Sequence, residues 1–426
     1  MRAAAPAGIL YAIQTFRQII PADSLTPLPC LDIEDWPHFP WRGFMLDEGR
    51  HFHGKDTVKL LLDLMLLQKL NVFHWHLSED QGWRPEIRRY PDLTRIGSKR
   101  KGTMRASGVR PDGVPYEGSY SQEDIREIVA YAAARGITVV PEIDLPGHAL
   151  SALASYPWLG CTGGPYEVWD RIGIQPEIMC AGKETTFEFL QGMLEEIIEL
   201  FPGPWIHIGG DEAPKERWQQ CPDCAARMRT LGLQDPSGLQ TWMTNRVAAF
   251  LRSRGKGTIT WNDSLAPDLD PEVRIQYWFR HRERLIDSIR HGRSVIGSHF
   301  WDCYLDHGYA LTPLQRAYAY EPVLRELDAA AAESIVGIEA PLWTEMVPDC
   351  ARLWYQTFPR LCAYAETGWT PAGSKDWKSF LGRLPGFLTL IRSMGGSHAP
   401  LREALSGPLR RLFGSVTLRT EQTGRA

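Results

Sequence analysis

Apolar residues along this chain follow two alternating patterns. Short β-like runs are GFML (43–46), NVFHWHL (71–77), ITVVPEID (137–144), WIHIGG (205–210), TITW (258–261), RIQYW (274–278), VIGSHF (295–300) and IVGIEAPLW (335–343). Segments of helical period lie between most of them. In 55–70, Val58, Leu61, Leu62, Met65 and Leu66 recur at i, i+3, i+4, i+7 and i+8, one apolar stripe along a helix. Segment 121–136 carries its own boundaries: Ser121 as N-cap, Asp124 in the first turn and Gly136 as the stop. TTFEFLQGMLEEIIELFPG (185–203) and GLQTWMTNRVAAFLRSRG (238–255) repeat the pattern. Eight strands with helices between them predict an α/β fold, a (β/α)8 TIM barrel, over 37–394. A doubly wound open sheet is the rival, but no G-x-G-x-x-G opens a helix. Residues 1–36 read as a short remnant helix, from about Gly8 to Ile20, and a proline-rich linker. Residues 395–426 lose the pattern and read as a C-terminal appendage.

Composition changes this picture little. The 426 residues exceed the usual single-core size, with 43% hydrophobic, 23% charged and a net charge of −4. Nothing in this balance points to nucleic acid or a membrane surface. No apolar run reaches the ~20 residues of a membrane helix. Arg2 followed by apolar residues has a signal-peptide flavour. Pro6, Gln14, Arg17 and Gln18 interrupt it without a cleavage site, so the compartment stays open. Eight cysteines are too few for a disulfide scaffold. CPDC (221–224) is one C-x-x-C with no second pair at zinc spacing, and it follows a helix rather than a redox strand. Neither a metal nor a cofactor is expected. Cys161 and Cys180 flank a glycine-rich loop and are candidates for pairing.

In a barrel, catalytic residues sit at the C-terminal strand ends. Those ends read HWHLSEDQGW, EIDLPGH, GGDEA, TWND, QYW, SHFWDCYLD and APLWTE, rich in acids, histidines and aromatics. That is the composition of a sugar pocket, where carboxylates bind hydroxyls and indole faces pack on pyranose rings. Sixteen tryptophans add to the supply. Strand period puts Trp205, His207, Gly209 and Asp211 on one face, with Glu212 where the strand ends. The Gly209–Gly210 pair clears space for something to approach. Adjacent acids do not suit the usual glycosidase pair, ~5–5.5 Å apart across the anomeric carbon. Adjacency does allow one acid protonated and one ionised, because the first charge raises the second pKa.

The motifs HIGGDE, HWHLSEDQGW and PEIDLPGH, in this order, resemble the β-N-acetylhexosaminidases of glycoside hydrolase family 20, from about Trp41 to Trp369. The resemblance implies an exo-acting, retaining glycosidase that removes terminal β-linked N-acetylglucosamine or N-acetylgalactosamine. Its nucleophile is the substrate's own 2-acetamido oxygen, which forms an oxazolinium ion. By resemblance Glu212 is the general acid and then base, and Asp211 orients the acetamido N–H and stabilises the growing positive charge. His148 backs the acid, with Glu79 as its carboxylate partner where the family commonly has Asp. Arg42 is matched to the arginine that grips distal hydroxyls. Trp261, Trp278 and Trp343 are matched to the aromatic walls, and Tyr304 to the donor on the acetamido oxygen. Asp306 and Glu345 are matched to hydroxyl-binding acids. Sugar epimer, linkage and oligomeric state stay open.

Two other readings compete. The HWH pair, His74 and His76, shares one strand face and would begin a metal site completed by His148, His207 and Asp211, making a metal-dependent barrel hydrolase. Against it, no later strand end offers the expected His, His and Asp set. A barrel that binds amino sugars without cleaving them would be natural if Asp211 or Glu212 were replaced, and neither is.

Overall fold

The computed structural model describes residues 1–20, 27–28, 30–104 and 110–405. The elements in chain order are α1 (Pro6–Ile19), β1 (Trp41–Asp47), α2 (Lys55–Leu67), β2 (Val72–His76), α3 (Gln122–Ala133), β3 (Thr138–Glu142), α4 (Glu184–Leu200) and β4 (Trp205–His207). They continue with α5 (Pro222–Leu231), α6 (Pro236–Ser253), β5 (Gly257–Trp261), β6 (Arg274–Tyr277), α7 (Arg282–Arg290), β7 (Val295–Gly297), β8 (Ile335–Leu342), α8 (Arg360–Trp369) and α9 (Trp377–Ser393), with short helices between. All eight strands are parallel and pair in sequence order. The barrel closes where β1 meets β8, from Trp41↔Gly337 to Leu46↔Leu342. The expected (β/α)8 barrel is present.

Local chemistry accounts for the elements. Every residue of β1 and β2 is buried, as expected of parallel strands covered outside by helices and filled inside by side chains. The α2 stripe faces the barrel, and Leu64 and Leu67 are buried as well. Ser121 and Asp124 form a reciprocal capping box at α3, and Gly136 takes the left-handed conformation just past its end. Two strand runs are shorter than their apolar pattern. Gly209 and Gly210, at φ 62° and 99°, end β4 at His207, and VIGSHF turns helical from Phe300.

The barrel interior is polar. Glu339 accepts from Trp41 Nε1 (2.9 Å) and Gln276 Nε2 (2.8 Å), and His74 Nδ1 lies 2.7 Å from it. Glu142 accepts from Trp261 Nε1 (2.8 Å), with His76 Nδ1 at 2.5 Å, His207 Nδ1 at 2.9 Å and His74 Nε2 at 3.0 Å. Burial pulls His74 down, but Glu339 and Glu142 outweigh it and hold its pKa at about 9. The same histidines, opposing its own burial, hold Glu142 well below the usual carboxylate range.

Helix α1 packs at the opposite end from the strand C-termini, with Tyr11 edge-on to Trp369 and Gln18 donating to Leu67 O. At the C-terminal side a short helix, Leu401–Ala404, follows α9, and Ala399 N donates to Phe358 O. Residues 21–26 and 29 of the expected proline-rich linker and residues 406–426 of the expected appendage lie outside the described residues. Cys161 and Cys180 are free thiols rather than a pair, and the fold sets them beside Cys221 and Cys224.

Candidate active site

Asp211 and Glu212 follow β4 directly. The glycines before them make room for the protein itself: a Cβ on Gly209 would lie 1.8 Å from Asp144 Oδ1, and one on Gly210 would lie 2.3 Å from Ser264 Oγ. Gly210 N donates to Asp144 Oδ1 at 3.0 Å. Both glycines have positive φ, so the strand alternation stops at His207 and does not set the direction of Asp211. Glu212 itself sits at φ 43° and His148 at φ 49°, left-handed conformations that are strained for these residues.

His148 faces both acids. Its Nε2 lies 3.8 Å from Glu212 Oε2 and 3.9 Å from Asp211 Oδ2, beyond hydrogen-bond length, so the coupling is electrostatic. Its Nδ1 lies 2.8 Å from Glu79 Oε1: the longer acid does reach the histidine. Burial opposes a charge on His148, but Glu79, Asp211 and Asp144 outweigh it and lift its pKa well above the usual imidazole value. Burial raises Asp211 to about 7, with Asp263, Glu142 and Glu212 adding to the shift and His148 opposing it. Glu212 is raised by burial and Asp263, against His148 and Arg50. Asp211 Oδ1 and His148 Nε2 are buried and find no hydrogen-bond partner among the described residues. Buried polar atoms are ordinarily paired, so these two set the site apart from the rest of the barrel mouth.

Aromatic walls stand beside the acids. Trp343 and Trp278 flank Tyr304, with ring centroids 6.3 and 6.2 Å from it. Trp278 gives its indole N–H to Asp263 at 2.7 Å. Trp261 is wholly enclosed, 5.8 Å from Trp343, and is tied to Glu142, so it underlies the wall rather than facing open space. Burial keeps the Tyr304 hydroxyl protonated, its pKa well above the phenol value. Asp306 Oδ1 is buried without a partner among the described residues, and burial with Glu345 nearby raises Asp306 to about 7.

Arg42 lies elsewhere. It is the second residue of β1, at the N-terminal end of the barrel, where its guanidinium donates to Phe39 O (2.8 Å), Lys69 O (2.9 Å) and Tyr11 OH (3.0 Å). The arginine that reaches the site is Arg50, just past the end of β1. Its Nη2 is 2.6 Å from Glu79 and 3.7 Å from Glu345, its Nη1 is 3.3 Å from Asp47, and its guanidinium lies 4.8 Å from the Trp343 ring centroid. Asp47 also accepts from Thr344 N and Oγ1 at 3.0 Å, which fixes the ends of β1 and β8 to each other. A signal was present in the sequence. LDEGRHF stands at the C-terminal end of β1, where the barrel rule looks for function, whereas Arg42 stands at the opposite end. Asp144 and Asp263 were missed as well. Asp144 sits in EIDLPGH, and Asp263 ends TWND.

The five side chains of the metal reading do not meet at one point among the described residues. His74 and His207 group with Glu142, while His148 and Asp211 group with Asp144. The HWH imidazoles are bound to Glu142 and Glu339. A cavity of about 450 Å³ is lined by Lys101, Leu150, Trp169, Glu177 and Arg217 among others, and none of the expected site residues lines it.

The model of glycosyl hydrolase family 20, catalytic domain, matches residues 39–372. The chain is 40% identical to a beta-hexosaminidase of Porphyromonas gingivalis, over 94% of this chain and 53% of that protein. It is 34% identical to a beta-hexosaminidase of Akkermansia muciniphila, over 88% of this chain and 78% of that protein. Among solved structures it is similar to the exo beta-N-acetylglucosaminidase of Vibrio harveyi in complex with N-acetylglucosamine. That match has a TM-score of 0.84 at 34% identity and covers 94% of this chain and 65% of the other. The chain thus spans about half the length of the first of these relatives.

Proposed function

Because this chain belongs to glycosyl hydrolase family 20, we propose that it hydrolyses terminal β-linked N-acetylhexosamine through an oxazolinium ion built from the substrate's own acetamido group. The observation that carries this reading is the arrangement around His148. Two consecutive acids face one imidazole nitrogen, the other nitrogen is held by Glu79, and an Asp211 oxygen without a partner among the described residues lies within electrostatic reach of Tyr304.

In this reading Glu212, whose side chain is 35% exposed, gives its proton to the departing glycosidic oxygen. The acetamido oxygen attacks the anomeric carbon from the opposite face. An intramolecular nucleophile of this kind has an effective molarity of ~10⁵ M or more, so the protein has chiefly to hold it in line. Tyr304 donates to the acetamido oxygen and Asp211 accepts from the acetamido N–H. The fold alone lifts Asp211 to about 7, and a cation growing on the nitrogen favours the carboxylate, so the two charges develop together. Glu212 then takes a proton from the water that opens the oxazolinium, and the anomeric configuration is retained. His148, cationic through Glu79, steadies the carboxylate form of Glu212 between the two steps. Arg50, Glu345 and Asp306 offer charged partners for the sugar hydroxyls.

The test compares nitrophenyl N-acetylglucosaminide with the plain 2-hydroxyl glucoside. Turnover of the first and at most traces of the second is expected. Equal rates, or a trapped sugar–protein ester, would reject the scheme. Glu212→Gln should cut turnover of poor leaving groups by ~10²–10⁴ and affect nitrophenyl substrates far less. Asp211→Asn should impair both, because the acetamido oxygen displaces every aglycone in the step that forms the ring.

A further inference from the structure

Four cysteines, none of them used by the chemistry above, converge on one point. Cys161 and Cys180 lie in the connection from β3 to α4 that also carries His148. Cys221 and Cys224 stand at the start of α5, in the connection from β4 to α6 that carries Asp211 and Glu212. Their sulfurs all lie within 4.8 Å of one another. Cys180 Sγ is 3.6 Å from Cys224 Sγ and 3.7 Å from Cys221 Sγ, and Cys161 Sγ is 3.9 Å from Cys224 Sγ. We propose that these four residues bind one structural zinc ion, which ties the two catalytic loops together.

The distances favour a tetrahedral metal over other uses of four sulfurs. With Zn–S bonds of about 2.3 Å, a tetrahedron has sulfur–sulfur edges of ~3.8 Å, and the three separations bracket that length. A disulfide requires sulfurs ~2.0 Å apart, and all four cysteines are free. A [2Fe–2S] or [4Fe–4S] cluster divides four thiolates over two or four irons, which spreads the sulfurs more widely.

The surrounding backbone is shaped for this convergence. An antiparallel bridge between Gly160 and Met179 brings Cys161 and Cys180 side by side, and Cys180 N donates to Leu159 O at 2.7 Å. Gly182 presses against the C-x-x-C turn: a Cβ there would meet the Asp223 carbonyl carbon at 2.2 Å and Cys224 N at 2.3 Å. Trp218 Nε1 donates to Met179 O at 2.9 Å and Arg227 Nη2 to Gly182 O at 3.2 Å, fastening the two connections on either side. Binding would exchange the thiol protons for the ion, four protons released for one Zn²⁺ held, leaving a dianionic centre beside Arg227 and Lys183. Lys183 itself reaches Trp158 O and Gly160 O.

The experiment is metal analysis of the full chain, purified from zinc-replete cells without added metal, with mass mapping of its thiols. About one zinc per chain is expected, with these four cysteines resisting alkylation until a mercurial releases the ion. Cys161→Ser, which removes the least buried ligand, should retain less than about a tenth of the zinc and melt at lower temperature. Cys350→Ser, exposed and outside the cluster, should keep the full amount. If Cys161→Ser does not fold, cobalt exchange into the unaltered chain decides, through the intense long-wavelength bands of tetrahedral thiolate Co²⁺. Two disulfides among the four, freely alkylated thiols with no zinc, or iron in its place would each overturn the assignment.

Discussion

Arg42 and Arg50 have the same side chain, and their places at opposite ends of β1, Arg42 near its start and Arg50 just past its end, separate their roles. Arg42 is capped by two carbonyls and a tyrosine hydroxyl at the closed end of the barrel. Arg42→Ala should cost about 2–4 kcal/mol of stability, read by denaturant unfolding, and leave kcat/KM nearly unchanged. Arg50 spans Asp47, Glu79 and Glu345 at the open end. Loss of its charged hydrogen bonds in Arg50→Ala should lower kcat/KM by roughly 30–1000-fold in steady-state assays. If Arg42→Ala lost activity and Arg50→Ala kept it, their places in the site would be exchanged. That Asp211, Glu212, His148 and Glu79 belong to one cluster was legible from residue type and motif. Arg50 is not singled out by residue type, which Arg42 shares; only its place past the C-terminal end of β1 distinguishes it.

Elements position these side chains, and some do so through glycine. Gly209 is left-handed and leaves no space between β4 and Asp144. Gly209→Ala must therefore displace Asp144 or the end of β4, and with it the acid pair. A loss of at least about tenfold in kcat, together with a lowered melting temperature, is expected from a shift of about 1 Å. The capping box of α3 offers a contrast. Ser121→Ala should cost about 1 kcal/mol in unfolding experiments while kcat stays unchanged, since Ser121 caps an outer helix. The α3 boundaries were readable from a local signal, whereas the end of β4 was not. WIHIGG is apolar through Ile208, and only its contacts with Asp144 and Ser264 reveal where the pleat breaks.

At the scale of the whole molecule, the polar barrel interior gives stability a pH dependence with a definite sign. His74, raised to about 9 from 6.5, contributes stability that is full below 6.5 and lost as pH rises through about 9. Asp211 and Asp306, both raised to about 7 from 3.8, also favour the folded state less as pH rises over that interval. Glu142, held well below 4.5, contributes stability present above 4.5 and lost as pH falls through its lowered value. The melting temperature should therefore be highest near pH 5–6 and fall steadily toward pH 9, as scanning calorimetry across that range will show; a rise toward pH 9 would contradict the network. The sequence by itself determined the eight-stranded barrel, the helix stripes and the adjacent acids proposed for the chemistry, because period, caps and motifs are properties of neighbouring residues. Tertiary structure alone decided that HWH is bound by Glu142 and Glu339, that Arg50 rather than Arg42 reaches the acids, and that four scattered cysteines meet. Each of these depends on chain segments far apart in sequence, brought together only when the barrel closes and its loops gather at one end.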